Sequence, residues 1–374
     1  MPLSLRPRYV MIGGFLGAGK TTAILRLAEY LDRQGRRVGL ITNDQSVGLV
    51  DTTMVATRGF PVEEITGGCF CCRFDSLVDA TCRLTQDVAP QVFIAEPVGS
   101  CTDLRASVSY PLQRMYGDAF VVAPLSVLVD PIRALRVLGV ESGASFSGKV
   151  HYLYHKQLEE AAILVINKCD VVEPARIAKL RSALEREFPH ARIFEVSARS
   201  GQGLDEWFEA IVPAIECDGQ RADADMEMDY AIYGEGEALL GWLNATVRLD
   251  GGPFDGNAWL RDMAARLQVR LDERGIEIAH LKVTLSPGDK GGLAVLNQVR
   301  NEHRAELSHE LIGLLSGADL LVNLRAEGDP DHLLAATRGA LDDAASAAGI
   351  RHHVRHVEHF RPGQPTPTYR LSPA

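Results

Sequence analysis

Gly14-Phe15-Leu16-Gly17-Ala18-Gly19-Lys20-Thr21 spells G-x-x-x-x-G-K-[ST]. The pattern stands after an apolar run, Tyr9–Ile12, that reads as a β-strand, and before an amphipathic stretch, Thr22–Gln34, that reads as a helix. Chemistry explains the spelling. Glycines let the backbone curl into a nest of N–H groups around phosphate oxygens, and the following helix turns its positive end to the same anion. The expected phosphate-side set is Gly14, Gly17, Ala18, Gly19, Lys20, Thr21 and Thr22. Lys20 serves the β- and γ-phosphates as a catalytic cation, and the Thr21 hydroxyl holds Mg²⁺.

Outward from this loop, the first half of the chain alternates apolar runs with helical patterns. Val38–Thr42, Val92–Ala95, Ser126–Val129, Ile163–Ile166 and Ile193–Val196 are continuous apolar runs, the form of strands buried on both faces. Ala175–Phe188 is amphipathic like Thr22–Gln34. The series predicts an α/β class: a P-loop domain with a doubly wound, mostly parallel sheet over residues 1–217. A polar, acidic stretch, 218–229, reads as a linker.

Residues 230–374 read as a smaller C-terminal α+β domain. Leu239–Leu249 reads as a strand. Asn257–Arg274 reads as a helix with Leu260, Met263, Ala264, Leu267 and Leu271 on one face, stopped by Gly275. Ile276–Leu285 and Leu320–Leu324 follow as strands. Pro330–Ala348, opened by Asp329-Pro330, reads as a helix and Ile350–Phe360 as a last strand. Two βαβ units predict a split, ferredoxin-like arrangement.

Composition bounds the function classes. Of 374 residues, 46% are hydrophobic and 24% charged, the balance of a globular protein. A formal net charge of -10 argues against a nucleic-acid partner, which needs clustered cations. No run approaches the roughly 18 apolar residues of a membrane span. No membrane partner is expected, and the expected location is the cytoplasm, where the seven cysteines stay reduced.

Asn167-Lys168-Cys169-Asp170 follows the run Ile163–Ile166 and spells N-K-x-D. The Asp170 carboxylate is suited to accept from guanine N1–H and the exocyclic amine, a pairing adenine does not offer. Lys168 can lay its stem on the base, Asn167 can brace the loop, and a backbone N–H of Ser197-Ala198 can meet guanine O6. The nucleotide read this way is GTP, and the pattern argues against an ATP-using kinase. Two acids close strands on the ligand-binding edge: Asp44 after Val38–Thr42 and Glu96 after Val92–Ala95. Each is a candidate to hold Mg²⁺ or orient the attacking water, the alternative being a helix N-cap. The Gly99 N–H is placed to reach the γ-phosphate.

Gly67-Gly68-Cys69-Phe70-Cys71-Cys72 sets three thiols within four residues. Thiolates bind Zn²⁺, Co²⁺, Cu⁺ and Ni²⁺, and Cys69 and Cys71 point the same way if the segment is extended. Three thiols leave a coordination position open, which suits transfer rather than a closed structural site. Cys82, Cys101, Cys169 and Cys217 read as isolated, ordinary small buried residues. Along the last strand His352, His356 and Glu358 would share one face. Together with His353 and His359, these histidines read as solvated side chains of an edge strand.

These pieces together resemble the CobW-like branch of the CobW/HypB/UreG GTPases, metallochaperones and metal-insertion factors. The resemblance is carried by Gly13–Thr22, Glu64-Ile65-Thr66-Gly67-Gly68-Cys69-Phe70-Cys71-Cys72, Glu96-Pro97-Val98-Gly99 and Lys156-Gln157-Leu158-Glu159-Glu160-Ala161 leading into Asn167–Asp170. It implies a GTPase in which nucleotide state is coupled to a metal held by Cys69, Cys71 and Cys72, with Glu96 in the switch that senses the γ-phosphate. The cargo implied is a divalent metal, Zn²⁺ or Co²⁺, passed to an unidentified client metalloprotein. A homodimer across the nucleotide face is compatible with such switches. This chain departs from the family in reading Asn43-Asp44-Gln45-Ser46 where members usually read Asn-Glu-Phe-Gly, and in lacking a histidine tract near the domain junction. Two other readings remain open: a GTP-dependent chaperone of a corrinoid or other metal-cofactor enzyme, and a metal-storage or sensing protein with weak turnover.

Overall fold

In the computed structural model, residues 6–43, 59–212, 226–288 and 292–372 are described. Asp44 lies outside the described residues, as do Cys217 and most of the expected linker. The described chain divides into two compact units, one of Met1–Tyr233 with Pro365–Ala374, the other of Gly234–Gln364. The sequence reading counts 365–374 with the second half, whereas their contacts lie with the first.

The first unit holds strands β1 (Arg8–Gly14), β2 (Val38–Asn43), β3 (Val62–Ile65), β4 (Val92–Glu96), β5 (Val121–Val122), β6 (Ser126–Val129), β7 (Ile163–Ile166) and β8 (Arg192–Glu195). They run in the order β3-β2-β4-β1-β6-β7-β8, with β5 beside β1, and every pairing is parallel. Continuous apolar runs make this possible. Tyr9 to Gly14 are buried without interruption, as are Val38–Asn43 and Val92–Glu96, because helices cover both faces. The helices are α1 (Lys20–Arg33), α2 (Phe74–Val88), α3 (Tyr110–Tyr116), α4 (Pro131–Val137), α5 (Gly148–Glu159), α6 (Pro174–Glu187) and α7 (Leu204–Ile211), with a π-helical turn at Arg105–Ser109 before α3. Ile24, Leu27 and Leu31 of α1 pack with Ile12, Leu40, Ile94 and Val165 of the sheet and with Trp207 and Phe208 of α7. Each such side chain contributes about 1.5–3 kcal/mol on burial.

The division between the units falls within helix α8 (Tyr230–Leu239). The second unit continues with β9 (Leu240–Phe254), α9 (Gly256–Asp272), β10 (Glu277–Ser286), β11 (Ala294–Gln298), β12 (Glu306–His309), β13 (Leu315–Glu327), α10 (Pro330–Ala348) and β14 (Arg351–Phe360). The sheet order is β12-β11-β10-β13-β9-β14, antiparallel throughout. Without the β11–β12 hairpin, the order β10-β13-β9-β14 is the split βαβ arrangement. The predicted face Leu260, Met263, Ala264, Leu267 and Leu271 of α9 is fully buried against the sheet. Asp255 and Asp329 cap α9 and α10 by accepting backbone N–H groups in the first turn.

The histidine pattern needs correction. Within β14 the register slips between Val354 and His356, a β-bulge at Arg355. His352 and His359 therefore face the same side as Leu249 and Leu243, while His353, His356 and Glu358 sit opposite Arg248, Thr246 and Asn244. His352 and His356 do not share a face, so the trio does not converge. His352 lies 3.3 Å from Asp342 and His359 2.9 Å from Asp331, both on α10. Among the described residues, no helix is long and apolar enough to cross a membrane.

Candidate nucleotide and metal site

The site sits on the carboxyl edge of the parallel sheet, where β1, β2 and β4 end. β1 ends at Gly14 with φ 130°, and a Cβ there would lie 2.5 Å from the Leu128 carbonyl oxygen of β6. Only glycine lets the two strands approach this closely at the mouth of the loop. Gly19 (φ 96°) turns the chain into α1. The buried Lys20 Nζ donates to the Gly14 carbonyl at 3.0 Å, folded back along the loop it serves. The Thr21 hydroxyl, also buried, donates to Glu96 Oε1 at 3.0 Å. Glu96 thus does not cap a helix: it ends β4, and no described helix starts within the next several residues. Gly99 lies against the lysine, since a Cβ on it would come within 3.0 Å of Lys20 Nζ.

Asn167 braces two loops. Its Nδ2 donates to the Ala18 carbonyl at 2.8 Å, and its Oδ1 accepts from the Ala198 N–H at 2.9 Å. Lys168 (φ 61°) reaches the Gly17 carbonyl at 2.7 Å and Asp130 Oδ2 at 2.8 Å. Asp130 in turn caps α4 by accepting from the Arg133 N–H at 3.0 Å. Asp170 emerges from this turn exposed. The N–H groups of Ser197 and Ala198 both bond within the protein, to the Gln202 carbonyl at 2.9 Å and to Asn167. In this structure neither of them is a spare donor for guanine O6.

The cysteine motif is a turn, not the extended segment considered from the sequence. The N–H groups of Cys72 and Arg73 donate to the Cys69 carbonyl at 3.0 and 2.9 Å, and the turn gathers the sulfurs. Cys69 Sγ lies 2.7 Å from Cys71 Sγ and 3.2 Å from Cys72 Sγ, and Cys71 and Cys72 are 3.8 Å apart. All three sulfurs fall within 4.8 Å of one another, with Cys69 and Cys71 buried. Asn43, at the end of β2, shapes the turn. Its amide donates to the carbonyls of Ile65 and Gly68 at 3.0 and 2.8 Å and accepts from the Phe70 N–H at 2.8 Å.

Neighbouring thiols set the charge here. Hydrogen bonding from Cys101 above all, and from Cys71 and Cys72, holds the Cys69 thiol well below its ordinary value. The same bonds to Cys69 push Cys71 well up and Cys72 to about 11. One thiolate, on Cys69, is thus stabilised by its partners. The reading of Cys101 as isolated is therefore corrected: chain topology brings it beside Cys69. Cys82 is exposed and Cys169 half-buried, so neither is a buried packing residue.

Three further elements were not assigned a role from the sequence. Gln157 of α5 donates to the carbonyls of Gly99 and Cys101 at 2.9 and 2.8 Å. Glu160, just past α5, accepts from the Thr102 hydroxyl at 3.1 Å and the Arg105 N–H at 3.2 Å. Burial, then the nearby Asp103 carboxylate, raises its pKa to about 8. Both residues lie in the quoted stretch Lys156–Ala161, the one signal that could have marked them. Finally, the segment after Pro365 returns to the cysteine turn. The Thr366 N–H donates to Cys72 Sγ at 3.3 Å, the Thr368 N–H to the Cys71 carbonyl at 2.9 Å, and Tyr369 packs edge-on against Phe74 with ring centres 5.2 Å apart. Nothing in the local sequence announces this contact.

Comparison with known proteins gives these features a setting. A family model described as CobW/HypB/UreG, nucleotide-binding domain, matches residues 8–195. A Sinorhizobium protein named zinc chaperone CobW is 30% identical over 192 residues, covering 46% of this chain and 53% of the relative. Zinc chaperone YeiR of Escherichia coli (strain K12) is 32% identical over 168 residues, covering 44% and 47%. The crystal structure of the Zn(II)-bound YjiA GTPase from E. coli aligns with a TM-score of 0.36 at 15% identity, over 90% of this chain and 99% of that one. The chain spans about half the length of the curated relatives it matches.

Proposed function

We propose that this chain, which belongs to the CobW/HypB/UreG family, is a GTP-hydrolysing metallochaperone that passes a divalent metal to a client metalloprotein. The observation that carries the reading is the convergence of Cys69, Cys71 and Cys72 within 4.8 Å, in the same compact unit as the phosphate loop. Thiolates are soft donors that select zinc-like cations over the hard ions abundant in cells. The names of the two zinc chaperones support Zn²⁺ as the cargo, with Co²⁺ the next candidate for a tetrahedral thiolate site.

The nucleotide half follows from the loop geometry. The nest of Gly14–Gly19 and the start of α1, with Thr22, receive the phosphates, and Lys20 exchanges its bond to Gly14 for the β- and γ-phosphate oxygens. A hydroxyl and a carboxylate 3.0 Å apart, Thr21 and Glu96, are the hard oxygen donors that Mg²⁺ prefers. Bound there, Mg²⁺ would neutralise charge developing on the transferred phosphoryl group. Asp170 pairs with guanine while Lys168 and Asn167 hold its loop. Gly99 and Glu96 sit on the segment that meets the γ-phosphate, so hydrolysis changes what that segment contacts. Asp44, one residue beyond Asn43 in the sequence, is the second candidate acid.

GTP turnover by the purified protein, with and without stoichiometric Zn²⁺ or Co²⁺ and beside Cys71→Ser, tests the coupling. Metal-dependent stimulation in the wild type and none in the variant is the expected result. Background turnover in every condition despite metal binding would sink the coupled mechanism for the isolated protein, leaving storage or a client-dependent cofactor chaperone. Guanine-against-adenine competition tests the base assignment in the same preparation.

A further inference from the structure

After Gln364 the chain runs back to the first unit and lies across two parts of it. One end rests on the cysteine turn. The Thr366 N–H donates to Cys72 Sγ at 3.3 Å, the Thr368 N–H to the Cys71 carbonyl at 2.9 Å, and the Thr368 hydroxyl to the Cys72 carbonyl at 3.4 Å. The Tyr369 ring stands edge-on to Phe74, which opens α2. The other end rests on the segment that follows Gly99. Arg370 Nε donates to Asp103 at 2.9 Å, and the Leu371 N–H donates at 2.8 Å to the carbonyl of Ala106 in the π-helical turn. Asp103 is buried and stands at φ 62°, a strained backbone for a residue with a side chain. Of the three motif thiols, Cys69 and Cys71 are buried and Cys72 is half-buried. Cys72 is thus the sulfur by which an ion reaches or leaves the turn, and the returning segment lies on it.

We propose that residues 366–371 form a gate over the cysteine turn, and that Asp103 is the latch through which the γ-phosphate controls it. This rests on the metal-transfer reading above and supplies the physical step by which nucleotide state reaches the thiols. Gly99 lies against Lys20, and the Gln157 amide holds the carbonyls of Gly99 and Cys101 together, so the stretch leading to Asp103 moves as one piece. With Lys20 on the Gly14 carbonyl, Asp103 holds Arg370 and the strap lies on Cys72. When Lys20 turns to the γ-phosphate, Gly99 shifts with it and carries Asp103 away from Arg370. The strap then lifts from a sulfur that it holds by a single weak bond, since sulfur is a poor acceptor. Release of a short segment by a γ-phosphate contact is an established form of nucleotide switch. No covalent bond is made or broken.

Amide hydrogen exchange of the full wild-type chain, read by mass spectrometry, needs neither metal nor variant. Exchange over Thr366–Leu371 should be roughly tenfold faster with a non-hydrolysable GTP analogue than with GDP. Equal exchange in the two states overturns the gate. A second measurement loads the full chain with Zn²⁺ and follows its transfer to a chromophoric chelator. Wild type transfers faster with the analogue than with GDP. Arg370→Ala cuts the tie to Asp103, so with GDP it transfers about three- to tenfold faster than wild type and loses the response to nucleotide. Arg370→Lys keeps the cation and falls between the two. Arg266→Ala, which breaks a surface pair with Asp262 in the second unit, behaves as wild type. A nucleotide response that survives undiminished in Arg370→Ala would overturn the latch. Zn²⁺ binding no tighter in wild type than in Cys71→Ser would remove the metal-transfer reading and the gate with it, whereas normal binding with equal exchange sinks the gate alone.

Discussion

On the proposed reading, nucleotide specificity comes down to a single side chain, Asp170. It emerges exposed from a turn that Asn167 and Lys168 fix to the phosphate loop by bonds of 2.8 and 2.7 Å. Asp170→Asn exchanges one acceptor for a donor, which suits xanthine O2 instead of the guanine amine. Loss of a charge-assisted bond worth about 1.5–3 kcal/mol predicts a fall in GTP affinity of about tenfold to hundredfold. Xanthosine triphosphate should gain correspondingly, and fluorescent-analogue competition with both nucleotides would expose a failure of the idea if the order of preference did not move. Glu160 makes a prediction of another kind. Its pKa rises from 4.5 to about 8 in the folded protein, chiefly by burial. Below the unfolded value both states carry the proton and nothing is lost. From pH 4.5 to 8 the unfolded chain gives up a proton that the folded one keeps, so stability falls with rising pH by roughly 4–5 kcal/mol, then levels off. Glu160→Gln removes this titration. The difference in Tm between variant and wild type should grow in the variant's favour from pH 5 to 8 and stay flat above, and a difference constant with pH would contradict the burial account.

Strand ends and turns determine how these side chains meet. β1 carries the loop only because Gly14 lets it lie against Leu128 of β6. Gly14→Ala sets a Cβ 2.5 Å from that carbonyl and keeps an alanine at φ 130°. Backbone strain of about 1–3 kcal/mol, plus the displaced strand, predicts a lower urea midpoint and loss of nucleotide binding. A midpoint equal to wild type would mean that the strands part without cost. Elements of this kind were readable in advance. Ser126–Val129 and Ile163–Ile166 form strands over the limits read from the sequence, and Pro330–Ala348 forms the predicted helix, because a run buried on both faces, or an Asp-Pro cap, is a local signal. The β11–β12 hairpin was not readable, since Glu306–His309 is mostly exposed and lacks apolar alternation. Whether the cysteine motif is extended or turned was not legible, because its shape is imposed by Asn43, a residue distant in sequence on another strand. The bulge at Arg355, which scatters the histidines, likewise depends on pairing with β9 and leaves no mark in β14 alone.

Chain topology adds what no local pattern contains: it returns residues after Gln364 to the unit that contains the first strand. This is why Gly14–Thr21, Asn167–Asp170 and the three-cysteine motif were legible as motifs, whereas Cys101 and Thr366 were not. The two gain their place only through folding. The returning segment is secured at several points. Thr366 and Thr368 bond to the cysteine turn, Tyr369 packs on Phe74, Arg370 pairs with the buried Asp103 at 2.9 Å, and the Leu371 N–H donates to the Ala106 carbonyl at 2.8 Å. Asp103 also accepts from Tyr230 Oη at 2.5 Å, so the strap is tied to the segment that follows Cys101. A thiol under such a strap is shielded from reagents until the strap opens. Shortening the chain after Gln364 should therefore speed alkylation of Cys72, read by peptide mass spectrometry, while GTP affinity stays near wild type. Tyr369→Ala, which removes a ring contact worth about 0.5–1.5 kcal/mol, should give a smaller acceleration of about two- to tenfold. Equal alkylation rates in all three proteins would show that Cys72 is reached by another face and that the strap is not what controls access to the cysteine turn.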